Sequence, residues 1–152
     1  QKFLALRRDI EAAVAFRYVP TTPVRHVLYL FASPSCPHCE EFLRGIRPLL
    51  EETRTELRVL FTGKGEDEAL AVAALCRNVD LTTYLSRQWS PSAGTARFRC
   101  NDGETRFRRS NDLSRRIGVT RVPTLFTEQG LMLVGPQPSS LKPLLSDATA
   151  SR

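Results

Sequence analysis

The hydrophobic positions divide this chain into short blocks, each with its own period. Phe3, Leu6, Ile10, Ala13, Val14 and Phe16 recur at helical spacing and predict an amphipathic helix over 3–16. Pro20 and Pro23, set among threonines, then break the chain into a connector. His26 to Phe31 is an almost unbroken apolar run of strand length, the pattern of a central strand covered on both faces. The turn Ala32-Ser33-Pro34-Ser35 leads into a helix from Cys36 to about Glu52, and Leu57 to Phe61 reads as a second buried strand. Gly63-Lys64-Gly65 is a loop before a helix at 66–77, with a further helical stretch from about Asp80 to Gln88. Residues 89–109 show no readable period.

Asn111 to Ile117 reads as a helix closed by Gly118, which suits a left-handed C-cap. Val122 to Phe126 begins a strand, Glu128-Gln129-Gly130 turns it, and Leu131 to Val134 returns antiparallel. Leu141 to Leu145 is a closing helix with Ser139 or Ser140 as its cap. The order is β-α-β, then helices, then β-β-α, which predicts an α/β fold in one domain.

Composition narrows the class. The 152 residues are 41% hydrophobic and 25% charged, an ordinary balance for a globular domain. The longest apolar run, Ala69 to Cys76, is far too short to cross a bilayer, so no membrane insertion is expected. The chain opens at Gln1 with neither an initiating Met nor a basic-then-apolar leader, a start that fits signal removal or trimming. The net charge is +6, and Arg97 to Arg121 holds eight arginines against Asp102, Glu104 and Asp112. Only Phe98 and Phe107 are interleaved there, too few aromatics for base stacking. A solvated basic face is the simpler reading, and no nucleic acid is expected as a partner.

The chemistry sits in the cysteines, whose count alone admits metal ligation, free thiols or disulfides. Cys36 and Cys39 lie two residues apart, after a core strand and at a helix start. The first N–H groups of a helix lack intrahelical partners and the dipole is positive there, so a thiolate at Cys36 is favoured. Pro37 carries the fixed φ of a first-turn residue and holds the turn. His38, when protonated, favours the Cys36 thiolate and makes the disulfide more oxidising. Cys39, one turn deeper, is placed to resolve a mixed disulfide. A zinc site adding Cys76 and Cys100, or His26 or His38, is the competing use, but no second closely spaced pair accompanies the first. His26, opening a strand, and Trp89 read as structural residues.

The apolar strand, the turn, Cys36-Pro37-His38-Cys39 and the later Val122-Pro123-Thr124 together resemble the thioredoxin superfamily. Within it the chain is most similar to the catalytic domain of the bacterial periplasmic DsbC/DsbG disulfide isomerases, over roughly residues 20–146. Three further features carry this: the spacing of Cys76 and Cys100, the loop Gly63-Lys64-Gly65-Glu66, and the run from Ile117-Gly118-Val119 to Gly135-Pro136-Gln137-Pro138.

The resemblance implies a thioredoxin fold, a central mixed sheet flanked by helices, over residues 20–152 with a helical insertion at about 66–110. Residues 1–19 would be a linker-like helix. It implies a cis Pro123, a substrate groove at Val122, Pro123 and Thr124, and a structural Cys76–Cys100 disulfide worth about 3–4 kcal/mol. It implies exchange without a cofactor on unfolded or misoxidised secreted proteins, a membrane or periplasmic redox partner, and a periplasmic location after signal removal. The Pro37-His38 dipeptide is associated with strongly oxidising DsbA-type proteins, so the direction of electron flow stays open. Two other classes remain: a zinc-stabilised binding module, and a redox-inactive chaperone or assembly factor of a secretion or conjugation system.

Overall fold

The computed structural model describes residues 2–91 and 99–146. Its elements are α1 (Lys2–Ala5), α2 (Arg7–Ala12), β1 (Phe16–Tyr18), β2 (His26–Ala32), α3 (Pro37–Glu52), β3 (Thr55–Phe61), α4 (Glu66–Cys76), α5 (Leu81–Ser86), α6 (Asn101–Arg116), β4 (Thr124–Thr127), β5 (Met132–Val134) and α7 (Pro138–Leu145). The strands form one sheet in the order β1-β3-β2-β4-β5. β2 runs parallel to β3 and antiparallel to β4, in registers such as Leu30↔Val59 and Leu30↔Leu125. This is the mixed sheet of a thioredoxin fold, with α4, α5 and α6 inserted between β3 and β4.

The continuous apolar run of β2 follows from its central place, because both of its faces are covered. Leu28 and Leu30 point into a cluster with Phe42, Leu43, Ile46 and Leu50 of α3. Tyr29 and Phe31 point the other way, against Phe3, Ile10, Leu113 and Ile117. Burying each such side chain contributes about 1.5–3 kcal/mol. The face under α2 also holds a polar cluster, in which Tyr29 Oη and Arg58 Nη1 both donate to the Glu11 carboxylate. Arg58 Nε donates to Glu56 at 2.7 Å, and Arg17 pairs with the same carboxylate at 3.1 Å.

Several expected boundaries move. The helix predicted over 3–16 breaks into α1 and α2 and ends at Ala12, and Phe16 opens β1. The apolar period runs on through 13–16, but Ala15 N–H donates to the Val59 carbonyl at 2.7 Å and Phe16 pairs with Val59. Sheet pairing thus overrides helical spacing. Phe3 and Ile10 are 1% and 0% exposed, so this segment is part of the folded body.

The helix expected at 111–117 begins ten residues earlier, at Asn101, within the stretch that showed no period. Its first turns bury only Gly103 and Phe107 before Ser110, and a face so sparse in apolar residues gives no periodic signal. Residues 92–98 of that stretch lie outside the described residues. The last helix starts at Pro138 with Gln137 as its N-cap, and Ser140 Oγ donates back to the Gln137 carbonyl instead of capping. β4 begins at Thr124, two residues later than the apolar pattern implied.

Candidate active site

The carboxyl end of β2 delivers the chain into Ser33-Pro34-Ser35 and then onto α3. Cys36 is the N-cap of that helix, with extended backbone (φ −90°, ψ 112°) and Pro37 in the first turn. Its sulfur accepts the Cys39 N–H at 3.2 Å, satisfying one of the donors a helix start leaves open. Cys36 is half-buried, whereas Cys39 is buried at 2% exposure, and both are free thiols. Burial pushes the Cys39 thiol well up, reinforced by its hydrogen bond to Cys36, while a backbone hydrogen bond from Ser33 works the other way. One sulfur is therefore half-exposed and accepts a helix-start N–H, and the other is kept protonated inside.

Val122 and Pro123 lie across from the dithiol. Their peptide bond is cis, and the Val122 carbonyl lies 3.9 Å from Cys36 Sγ. Two depressions flank this line. One, of about 560 Å³, is lined by His38, Phe42, Val122, Pro123 and Val134. The other, of about 400 Å³, is lined by Pro34, Cys36, Pro37, Arg44 and Arg87. Thr124 does not line either: it is fully buried, and its hydroxyl donates to the Arg121 carbonyl at 2.6 Å. His38 is 85% exposed, with Nδ1 4.0 Å from the equally exposed Glu41 carboxylate.

Cys76 and Cys100 lie at the far end of α4, bonded to each other with Cα atoms 5.7 Å apart. Cys100 also N-caps α6, its sulfur accepting the Gly103 N–H at 3.2 Å. An added Cβ at Gly103 would collide with Cys76 Sγ, which is why a glycine stands in the first turn of this helix. With these two sulfurs bonded, a four-cysteine zinc site loses half its ligands. Among the described residues no group of three metal-ligating side chains gathers.

His26 is half-buried at the start of β2, and its Nε2 has no hydrogen-bond partner among the described residues. Trp89 is a packing residue, stacked on Tyr84 with its Nε1–H donating to the Tyr84 carbonyl at 2.8 Å. Sequence reasoning passed over Asp67, which reaches the Ser35 beside the dithiol. Its only signal was an acidic residue in the first turn of α4, which the helix dipole already explains.

No family model matches this sequence. A 70-residue stretch, 45% of the chain, is 34% identical to the thiol:disulfide interchange protein DsbG of Escherichia coli (strain K12), and spans 27% of that protein. The catalytic domain of Proteus mirabilis ScsC superposes with a TM-score of 0.65 at 19% identity, covering 100% of this chain and 98% of that one. A periplasmic thioredoxin-like protein from Salmonella enterica serovar Typhimurium gives 0.62 at 16% identity, covering 94% and 97%. Fold and partial sequence identity point the same way: this chain has the thioredoxin fold and resembles the DsbG-type thiol:disulfide interchange proteins of the thioredoxin superfamily.

Proposed function

We propose that the protein is a thiol–disulfide oxidoreductase that exchanges disulfides of unfolded or misoxidised secreted proteins in the periplasm, through Cys36 and Cys39. The observation that carries this reading is the asymmetry of the dithiol. Cys36 is reachable and accepts a helix-start N–H, while Cys39 lies buried directly beneath it.

The Cys36 thiolate attacks one sulfur of a client disulfide. A Cys36–client bond forms, the client bond breaks, and the other client sulfur leaves as a thiolate that takes a proton. If another client thiol then attacks, the client is isomerised with no net electron transfer. If Cys39 instead loses its proton and attacks Cys36, a Cys36–Cys39 disulfide forms and the client leaves reduced by two electrons. Run backwards, the same steps oxidise a client.

Cys39 is poorly ionised because burial opposes its charge, and only the thiolate attacks. Cys39 resolves the mixed disulfide only after giving up that proton, and until then client thiols can compete for it. Val122 and Pro123 offer backbone beside Cys36 for an extended client segment, and main-chain pairing is tolerant of client sequence. A periplasmic or membrane redox partner would reset the dithiol.

Reactivation of scrambled, disulfide-mispaired ribonuclease tests this. Wild-type protein should restore nuclease activity, Cys36→Ser should abolish the effect, and Cys39→Ser should retain part of it while accumulating mixed disulfides. With the assay run in a glutathione buffer that itself supplies slow exchange, a Cys36→Ser variant as active as wild type would instead mark a redox-inactive holding factor.

A further inference from the structure

The turn that presents Cys36 is anchored from outside as well as from within. Inside, Cys36 N–H donates to the Ser33 carbonyl at 3.1 Å, and Ser33 Oγ donates to the Thr62 carbonyl at 2.7 Å. Outside, a single carboxylate oxygen, Asp67 Oδ1, accepts both the Ser35 N–H at 3.0 Å and the Ser35 hydroxyl at 2.6 Å. Ser35 immediately precedes Cys36, and Asp67 stands in the first turn of α4, where the dipole favours a charged carboxylate.

The loop before α4 is shaped for this side chain. A Cβ at Gly63 would come within 2.5 Å of Asp67 Oδ2 and 2.6 Å of Asp67 Cβ, so only a glycine leaves room. Gly63 is itself held by α6, its N–H donating to Asn111 Oδ1 at 3.0 Å, and Thr62 Oγ1 donates to the same oxygen at 2.8 Å.

We infer that Asp67 is a positioning residue for the dithiol, whose carboxylate clasps the Ser35 backbone and hydroxyl and so holds Cys36 where its sulfur meets the Cys39 N–H. This deepens the exchange reading above and rests on it for its significance. The insertion helices are then part of the site, since α4 supplies the clasp and α6 holds the loop against which the clasp lies. The N–H to sulfur bond stabilises the reduced form. Loosening the turn weakens that bond and leaves the dithiol more reducing.

The equilibrium of the Cys36–Cys39 couple with glutathione tests this, and needs no client. Asp67→Asn keeps an acceptor oxygen for Ser35 but removes the charge, whereas Asp67→Ala removes both. The difference between the two isolates the hydrogen bonds from the charge. The Ala variant should be more reducing than the Asn variant by about fivefold in the equilibrium constant, the worth of about one hydrogen bond. Ser35→Ala, at an exposed position, keeps the Asp67 charge and loses only the hydroxyl bond, so it is read against wild type and should be the more reducing of the two; it serves if Asp67→Ala fails to melt cooperatively. Coincidence of the Ala and Asn variants, or a Ser35→Ala variant indistinguishable from wild type, overturns the clasp. Failure of wild-type protein to reactivate ribonuclease would sink the proposed function and leave the glutathione comparison to judge Asp67.

Discussion

At the scale of single residues, the two sulfurs of one Cys-x-x-Cys motif are made unlike by a difference of one helical turn. Cys36 ends in a half-exposed position with an N–H donor, and Cys39 in the core at 2% exposure. Alkylation of the native reduced protein should therefore label Cys36 and spare Cys39, as peptide mass mapping would read. Equal labelling of both would contradict the asymmetry.

The raised Cys39 thiol also makes stability depend on pH. The unfolded chain loses this proton near an ordinary thiol value of about 8.5, while the folded chain keeps it. The reduced protein should then lose up to about 1.4 kcal/mol per pH unit above that point, and nothing from this group below it. Urea unfolding of wild type and Cys39→Ala between about pH 8 and pH 10 checks this, with the steeper decline expected in wild type. Parallel declines would show that Cys39 ionises freely.

At the scale of elements, the insertion helices are tied to one another by more than apolar contact. The Cys76–Cys100 bond joins the end of α4 to the start of α6 across 24 residues. Closing a loop of that length stabilises by about 3.5 kcal/mol in the chain-entropy model. A Cys76→Ser, Cys100→Ser double variant should lower the unfolding free energy by roughly that amount, seen as a shift in denaturant midpoint. Under α2, Glu11 gathers Tyr29 and Arg58, fixing that helix to β2 and β3. Glu11→Ala leaves a largely buried guanidinium short of one partner and should destabilise by about 1–3 kcal/mol in thermal or urea unfolding. A change below about half a kcal/mol would show that Glu56 alone satisfies Arg58.

At the scale of the whole molecule, the N-terminal segment closes one face of the sheet. Phe3 stacks on Phe126 with ring centroids 4.7 Å apart and meets Tyr29 edge-on at 5.2 Å, while Ile10 is fully buried. Deleting residues 1–12 would expose Tyr29, Phe31 and Phe126 together. The shortened protein should lose its cooperative melt or aggregate, as light scattering during thermal unfolding would show. A shortened protein that melts like the full chain would contradict this.

What the sequence by itself determined was local. An apolar run, a turn and Cys-x-x-Cys at a helix start are read from neighbours along the chain, so β2, α3 and the order of the later strands were legible. So was the mixed thioredoxin sheet, through the motifs that resemble a known superfamily. What only the tertiary structure decided was contact between distant residues. Phe16 leaves its helical period because Val59 offers a strand to pair with, and α6 is ordered through its first turns by two buried positions and a cap. The same reason hid Asp67. Its carboxylate reaches Ser35 across 32 residues, and nothing in the spacing of a chain records which distant groups folding will bring within a hydrogen bond.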